Sequence, residues 1–238
     1  MRRKLFSGPE SATRGFIRGG VLIALCALTL GSATLGCATA RISDDESQRF
    51  RSVYSLPSHG SEAAKVSVLQ YSSFTCSHCK IAFANLSHLI DSDPSLAKVV
   101  FKPIAFEGDA KAKVAAKAAL AASLQGKFWE MSTQLFARQD SLDTALYPMV
   151  AAELGLDVKL FNEDMNAPFL DRAVELMTQQ AFAAGIQGTP SFFINQYLIG
   201  GAIPEDKLKK AILYVRDGKD PSALFKAAAT KGEGKKKR

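Results

Sequence analysis

The sequence predicts an α/β protein: a mixed sheet with helices on both faces and an α-helical insertion in the middle. Three observations carry that expectation. Apolar, strand-like runs stand at residues 66–71 and 99–104 and again, much later, at 191–194 and 197–199. Between them, from Asp109 to about Ala184, the pattern is helical throughout. Amphipathic helical stretches also follow the first strand and close the ordered part, so the order is strand, helix, strand, helical block, strand, strand, helix.

Each element has its own warrant. Residues 66–71 are apolar enough for a central strand. Residues 77–90 read as a helix in which Ile81, Leu86, Leu89 and Ile90 share a buried face, and Pro94 stops it. In the second strand, Pro103 marks an end or an edge, because proline donates no ladder hydrogen bond. Within the helical block, residues 112–124 are alanine-rich and end at Gly126. Residues 127–138 carry Phe128, Trp129, Met131, Leu135 and Phe136 as core candidates, and Gly155 ends the segment 142–154. Segments 158–166 and 169–184 complete the block. After the last two strands, Gly200-Gly201 forms a turn and residues 205–215 form the final helix. Residues 56–60 read as a turn with His59 as a solvated loop residue, and His88 sits in its helix as a structural residue. No internal repeat is present.

A chain of 238 residues suffices for one domain with an ample core. The net charge of +7 does not mark a nucleic-acid binder. Arg2, Arg3, Lys4, Arg14 and Arg18 lie at one end and Lys231, Lys235, Lys236, Lys237 and Arg238 at the other, each set opposed by a single glutamate. The body between is close to neutral, with no basic face that composition reveals, so no nucleic-acid partner is expected. The N-terminus reads as an export signal: a basic region ending at Arg18, then an apolar run from Val21 to about Leu35 that is short for a spanning helix. Two processing readings stand side by side. Ala38-Thr39-Ala40 is a small-x-small cleavage site, and Thr34-Leu35-Gly36-Cys37 resembles a bacterial lipobox, which makes Cys37 a lipidation candidate and anchor. The expected division is a signal over 1–37, a linker over 38–60, the folded domain over 61–217 with its helical insertion at about 109–184, and a basic tail over 218–238.

The chain has four cysteines. Cys26 lies inside the apolar run and Cys37 at its edge, so an exported body keeps Cys76 and Cys79. Cys76-Ser77-His78-Cys79 follows the first strand and opens the first helix. Two thiols at that spacing on a first helical turn pass between dithiol and disulfide with little backbone movement. The helix N-terminus favours a thiolate at Cys76, and His78 adds a positive charge or a hydrogen bond between the sulfurs. Three other readings compete. A zinc site wants four ligands, and no second cysteine pair exists. A static disulfide over so short a loop gains little closure entropy. His78 could also be a helix residue with no tuning role.

The motif, the helical block and two further segments together resemble the DsbA-like branch of thioredoxin-fold thiol–disulfide oxidoreductases. The segments are Gln125-Gly126-Lys127-Phe128-Trp129-Glu130 with Leu154-Gly155-Leu156-Asp157, and Gly188-Thr189-Pro190-Ser191-Phe192-Phe193-Ile194-Asn195. The resemblance spans roughly residues 62–215. It implies a thioredoxin-like mixed sheet with an inserted α-helical domain, Cys76 as the attacking sulfur, Cys79 as the buried resolving one, and a cis Thr189–Pro190 bond packed against them. It further implies that Ser77, Thr189 and Pro190 meet the substrate, that no metal or organic cofactor takes part, and that the pair is recycled by a membrane redox partner. Two departures stand out. Gln70 falls where many relatives carry a glutamate beneath the site, often near a lysine like Lys102, and an amide cannot take up a proton. Gln196 follows Asn195 where relatives usually have glycine.

The reading is therefore an exported, periplasmic, monomeric oxidase that gives its disulfide to cysteine-containing exported proteins. A reductase or isomerase using the same site, and a client-binding protein without turnover, are the alternatives. Isomerases of the related type use an N-terminal dimerisation domain, for which residues 41–60 are too short.

Overall fold

The computed structural model describes residues 44–225. The signal segment, Cys26, Cys37, the cleavage site and the basic tail beyond residue 225 lie outside the described residues. In chain order the elements are α1 (Asp44–Tyr54), β1 (His59–Gly60), β2 (Ser67–Ser72), α2 (Ser77–Ser92), β3 (Lys98–Pro103), α3 (Ala110–Ser123), α4 (Phe128–Ala137), a 3₁₀ turn (Gln139–Ser141), α5 (Leu146–Glu153), α6 (Val158–Met165), α7 (Pro168–Ala183), β4 (Ser191–Ile194), β5 (Tyr197–Gly200) and α8 (Glu205–Arg216). The mixed α/β architecture with a helical insertion is as the sequence predicts.

The sheet runs β1-β3-β2-β4-β5, with β2 and β3 parallel and the other pairs antiparallel. Strand register sorts the side chains. Val68 pairs with Val99 and Ile194, and Gln70 with Phe101 and Phe192, so these residues share one face. The Val68 end of that face packs on Ala82, Leu86, Leu89 and Ile90 of α2 and Leu208, Ala211 and Ile212 of α8. Leu69, Tyr71, Val100 and Phe193 lie on the other face, in a larger cluster shared with α1 and the insertion. Helices therefore cover both faces, and β2, central in the sheet, ends buried beside α2.

Three local expectations need correction. The polar stretch read as a linker contains α1, whose Val53 is fully buried and whose Phe50 and Tyr54 pack on the larger cluster. His59 is not a free loop residue. It pairs with Val99 in the sheet, its ring lies 5.1 Å from Trp129, and its Nε2 is 2.8 Å from Asp91 Oδ1. Gly60 beside it adopts φ +89°, and a Cβ there would meet the Ala97 carbonyl oxygen at 2.3 Å, so only glycine fits. Ile81 is 54% exposed, because the buried stripe of α2 runs through Cys79, Ala82, Phe83, Leu86, Leu89 and Ile90 and leaves position 81 outside it. At the turn before Gln196, Asn195 takes the left-handed conformation with φ 49°, and its side chain accepts a hydrogen bond from Ser67 N at 2.8 Å.

The helix α1 is held by one costly contact. Asp164 of α6 is fully buried, and its ion-pair partner is Arg49 of α1, which also lies over the Phe169 ring at 5.4 Å. Removing the cation leaves a buried carboxylate uncompensated. Arg49→Ala is expected to cost about 3 kcal/mol in urea unfolding, while Arg49→Ala combined with Asp164→Asn recovers most of that loss. A single-variant loss under about 0.5 kcal/mol would show that water reaches Asp164.

Candidate active site

The site forms where β2 runs into α2. The loop Ser73-Phe74-Thr75 turns the chain, and Cys76 N donates to Ser73 O at 3.2 Å. Cys76 is the N-cap of α2, with extended φ −88° and ψ 116°, and its carbonyl accepts from Cys79 N at 3.0 Å and Lys80 N at 3.3 Å. Cys76 is part-exposed at the positive end of the helix, while Cys79, one turn on, is fully buried. Both are free thiols in this structure. Ser77 and His78 are exposed beside them on the first turn.

The second wall is the Thr189–Pro190 loop before β4. Its peptide bond is cis. Cys76 Sγ donates to the Thr189 carbonyl oxygen at 3.5 Å. Pro190 is buried and Thr189 part-exposed, so the loop packs on the sulfurs and still meets solvent. Sequence separation here is 113 residues; the sheet pairing of β2 with β4, Tyr71 opposite Ser191, closes it.

Burial pushes the Cys79 thiol up from its ordinary 9.0 to about 12. Hydrogen bonds from the Thr189 side chain, the Ser73 backbone and the Ser72 hydroxyl oppose that rise, and the bond to Cys76 adds to it. The sign follows directly. The folded reduced protein holds the Cys79 proton more tightly than the unfolded chain does. The associated stability is complete below pH 9.0 and is lost as pH rises toward about 12. Burial raises Tyr147 in the same direction, and Tyr147 is not one of the groups that shift Cys79. The stability of the reduced protein relative to the disulfide form therefore falls between about pH 9 and about pH 12, read by urea unfolding of each form. At about pH 8, iodoacetamide labels Cys76 alone in the folded protein. The shift from 9.0 to about 12 leaves Cys79 roughly a thousandfold less thiolate than an ordinary thiol. Mass spectrometry showing both sulfurs labelled at similar rates would contradict this.

Several residues that build the site carry no motif. Thr75 Oγ1 donates to Asp109 Oδ2 at 2.5 Å and lies 2.9 Å from Ser73 Oγ, while Asp109 Oδ1 caps α3 through Ala112 N at 2.8 Å. Gln139 Nε2 donates to Phe74 O at 2.7 Å. The cysteine loop is thus tied to the insertion at two points. Sequence reasoning placed Asp109 only at the start of the helical block; its cap on α3 and its reach to Thr75 were not read. Gln70 lies in the core, 1% exposed, and Lys102 does not approach it. Lys102 pairs in register with Tyr71 on the opposite face, with its Nζ 4.7 Å from the Tyr54 ring and 3.4 Å from Gln180 Oε1, and burial lowers its pKa. His88 binds Glu205 at 2.9 Å, joining α2 to α8.

The fold, with a Cys-x-x-Cys pair at a helix N-terminus facing a cis-proline loop, is the thioredoxin-type fold of thiol–disulfide oxidoreductases. The family model for thioredoxin (Thioredoxin_4) matches residues 55–213, and the chain belongs to that family. Among solved structures, a thioredoxin-like oxidoreductase from Silicibacter pomeroyi DSS-3 is 28% identical with a TM-score of 0.62, covering 70% of this chain and 96% of that one. The thiol-disulfide exchange protein alpha-DsbA2 from Wolbachia pipientis has the same TM-score at 22% identity, covering 71% and 92%, and oxidised BdbD from Bacillus subtilis does so at 22%, covering 70% and 96%. These neighbours share the fold with DsbA-like proteins, as the motifs suggested. A curated relative, a Na(+)/H(+) antiporter NhaA from Herminiimonas arsenicoxydans, is 31% identical over 143 residues, 60% of this chain and 23% of that protein. The chain thus spans about a quarter of the length of such relatives. Among the described residues no helix is long and apolar enough to cross a membrane.

Proposed function

We propose that the protein is an exported, monomeric oxidase that donates the Cys76–Cys79 disulfide to cysteine-containing exported proteins in the periplasm. The observation that carries this reading is the asymmetry of the pair: a part-exposed Cys76 at a helix N-terminus and a fully buried Cys79 behind it. A substrate thiolate attacks Cys76 Sγ, the Cys76–Cys79 bond breaks, and its electron pair passes to Cys79, which takes up a proton. A second substrate thiolate then attacks the substrate sulfur of the mixed disulfide and releases Cys76 as a thiolate. The substrate loses two electrons and the protein gains them. Ser77, Thr189 and Pro190 meet the substrate chain, and the exposed His78 stabilises the Cys76 thiolate. A membrane redox partner reoxidises the pair, and no metal or organic cofactor takes part. Delivery is by the N-terminal signal, with Cys37 the site of acylation if the lipobox-like reading holds.

Equilibration with glutathione tests the direction. An oxidase has a potential near about −120 mV, whereas a value near about −270 mV makes the protein a reductase. Mass spectrometry of the mature N-terminus distinguishes an acylated Cys37 from cleavage after Ala40.

A further inference from the structure

An open groove lies beside the cysteine loop, on the insertion side of the sheet and away from α8. It holds about 580 Å³, within the range of roughly 300–1,000 Å³ of clefts that seat ligands. One wall is the connection from β3 to α3, residues 105–110. The other is the face of α7 that carries Val174, Thr178 and Phe182. The Thr178 hydroxyl stitches the walls together: it accepts from Ala105 N at 3.2 Å and donates to Val174 O at 2.8 Å. Phe106 and Phe182 line the groove with ring centroids 5.8 Å apart, and Phe182 is 53% exposed. Two links join the groove to the redox site. Asp109, which lines it, accepts from Thr75 Oγ1 at 2.5 Å, and Thr75 precedes Cys76. Past Phe182, α7 ends at Ala183 and the chain runs on to Thr189, whose carbonyl meets Cys76 Sγ.

The rim is acidic. Glu107, Asp109 and Glu175 line it against one cation, Lys113, which is already held by Glu175 at 2.9 Å and Asp171 at 3.3 Å. Asp109 is occupied too, by Thr75 and by Ala112 N at the start of α3. Glu107, next to Phe106, is exposed to solvent. We infer that this groove is a client-recognition subsite: it takes a large apolar side chain of the client, with a neighbouring Lys or Arg held by Glu107. The inference rests on the redox reading above and names a class of client for it. A client strand that reaches Cys76 brings its flanking residues to the groove, because an extended chain advances about 3.3 Å per residue. Seating an aromatic or leucine side chain on Phe106 and Phe182 removes apolar surface of both partners from water. An exposed charge pair adds little affinity, but it favours basic over acidic clients and fixes register. Because Thr178 ties the walls, the groove is formed before a client arrives.

The test mixes the disulfide form with reduced two-thiol peptides that differ only in one residue pair: Phe-Lys, Phe-Glu or Ser-Ser. The pair stands three positions before the first cysteine in one series and three after the second in another. Reaction with oxidised glutathione corrects for the intrinsic reactivity of each peptide. Below saturation, in one of the two series, Phe-Lys is expected to be oxidised about tenfold faster than Ser-Ser. In that series it is also about threefold faster than Phe-Glu, a difference that shrinks at high salt. Phe182→Ser brings the Phe-Lys rate down toward that of Ser-Ser, and Glu107→Lys makes Phe-Glu the faster of the two Phe peptides. Both positions are exposed, and urea unfolding of each variant records folding separately from rate. Equal rates throughout both series, or a preference that either variant leaves intact, overturn the inference and leave the redox reading standing. So does a dimer in sedimentation that Phe182→Ser dissociates, since a second copy then occupies the groove. A wild-type disulfide form that oxidises none of the peptides overturns the oxidase reading itself, and this inference with it.

Discussion

Protein carrying Cys76→Ser transfers no disulfide: mixed with a reduced two-thiol peptide, it leaves the peptide at the background rate, while the wild-type disulfide form oxidises it one for one. The expectation comes from exposure. Cys79 is fully buried, and its thiol is held at about 12, so it can neither meet a substrate nor act as the attacking thiolate near neutral pH. The complementary change, Cys79→Ser, keeps the exposed sulfur and removes the one that would release a captured substrate. Cys76 then remains joined to clients, and non-reducing gels show adducts that dithiothreitol dissolves. Client capture that survives Cys76→Ser unchanged would instead identify a binding protein that acts without turnover.

The second large effect is on stability. Phe101, at the centre of the sheet, is fully buried, with ring centroids 5.5 Å from Phe74, 5.5 Å from Phe83, 5.8 Å from Phe128 and 6.0 Å from Phe136. Those partners come from the cysteine loop, α2 and α4, so one ring holds the sheet, the active-site helix and the insertion together. Phe101→Ala removes the ring and leaves a cavity that rigid aromatic neighbours fill poorly. The expected loss is about 3–5 kcal/mol in urea unfolding, a large part of the roughly 5–15 kcal/mol of a typical domain. A loss under about 1 kcal/mol would mean that the cluster collapses freely and does not couple the two parts. Phe74 is one residue from Thr75 and two from Cys76, so the variant also loosens the redox loop before the protein unfolds globally.

The parts that were legible without coordinates share one property: their signals are local. The Cys76-to-Cys79 spacing, the glycines at 126 and 155 with φ of 74° and 72°, and the apolar strands each depend on a few neighbouring residues. The ones that were missed depend on what lies across the core. The helix α1 has few apolar residues, and Phe50, Val53 and Tyr54 become buried because the insertion supplies a surface for them. A two-residue strand such as β1 is too short to show alternation; its pairing with β3 defines it. Ile81 looked like core because it is apolar, yet the helical angle sets it outside the stripe.

Sequence alone determined the fold class, the order of elements from β2 to α8, and the position of the cysteine pair and the Thr189–Pro190 segment, since motifs and periodicities are written along the chain. Tertiary structure decided how deeply each sulfur is shielded, that Lys102 and Gln70 lie on opposite faces, and that the buried Gln70 bonds Ser72. The reason is geometric: strand register assigns side chains to a face, and that assignment exists once β2, β3 and β4 are paired.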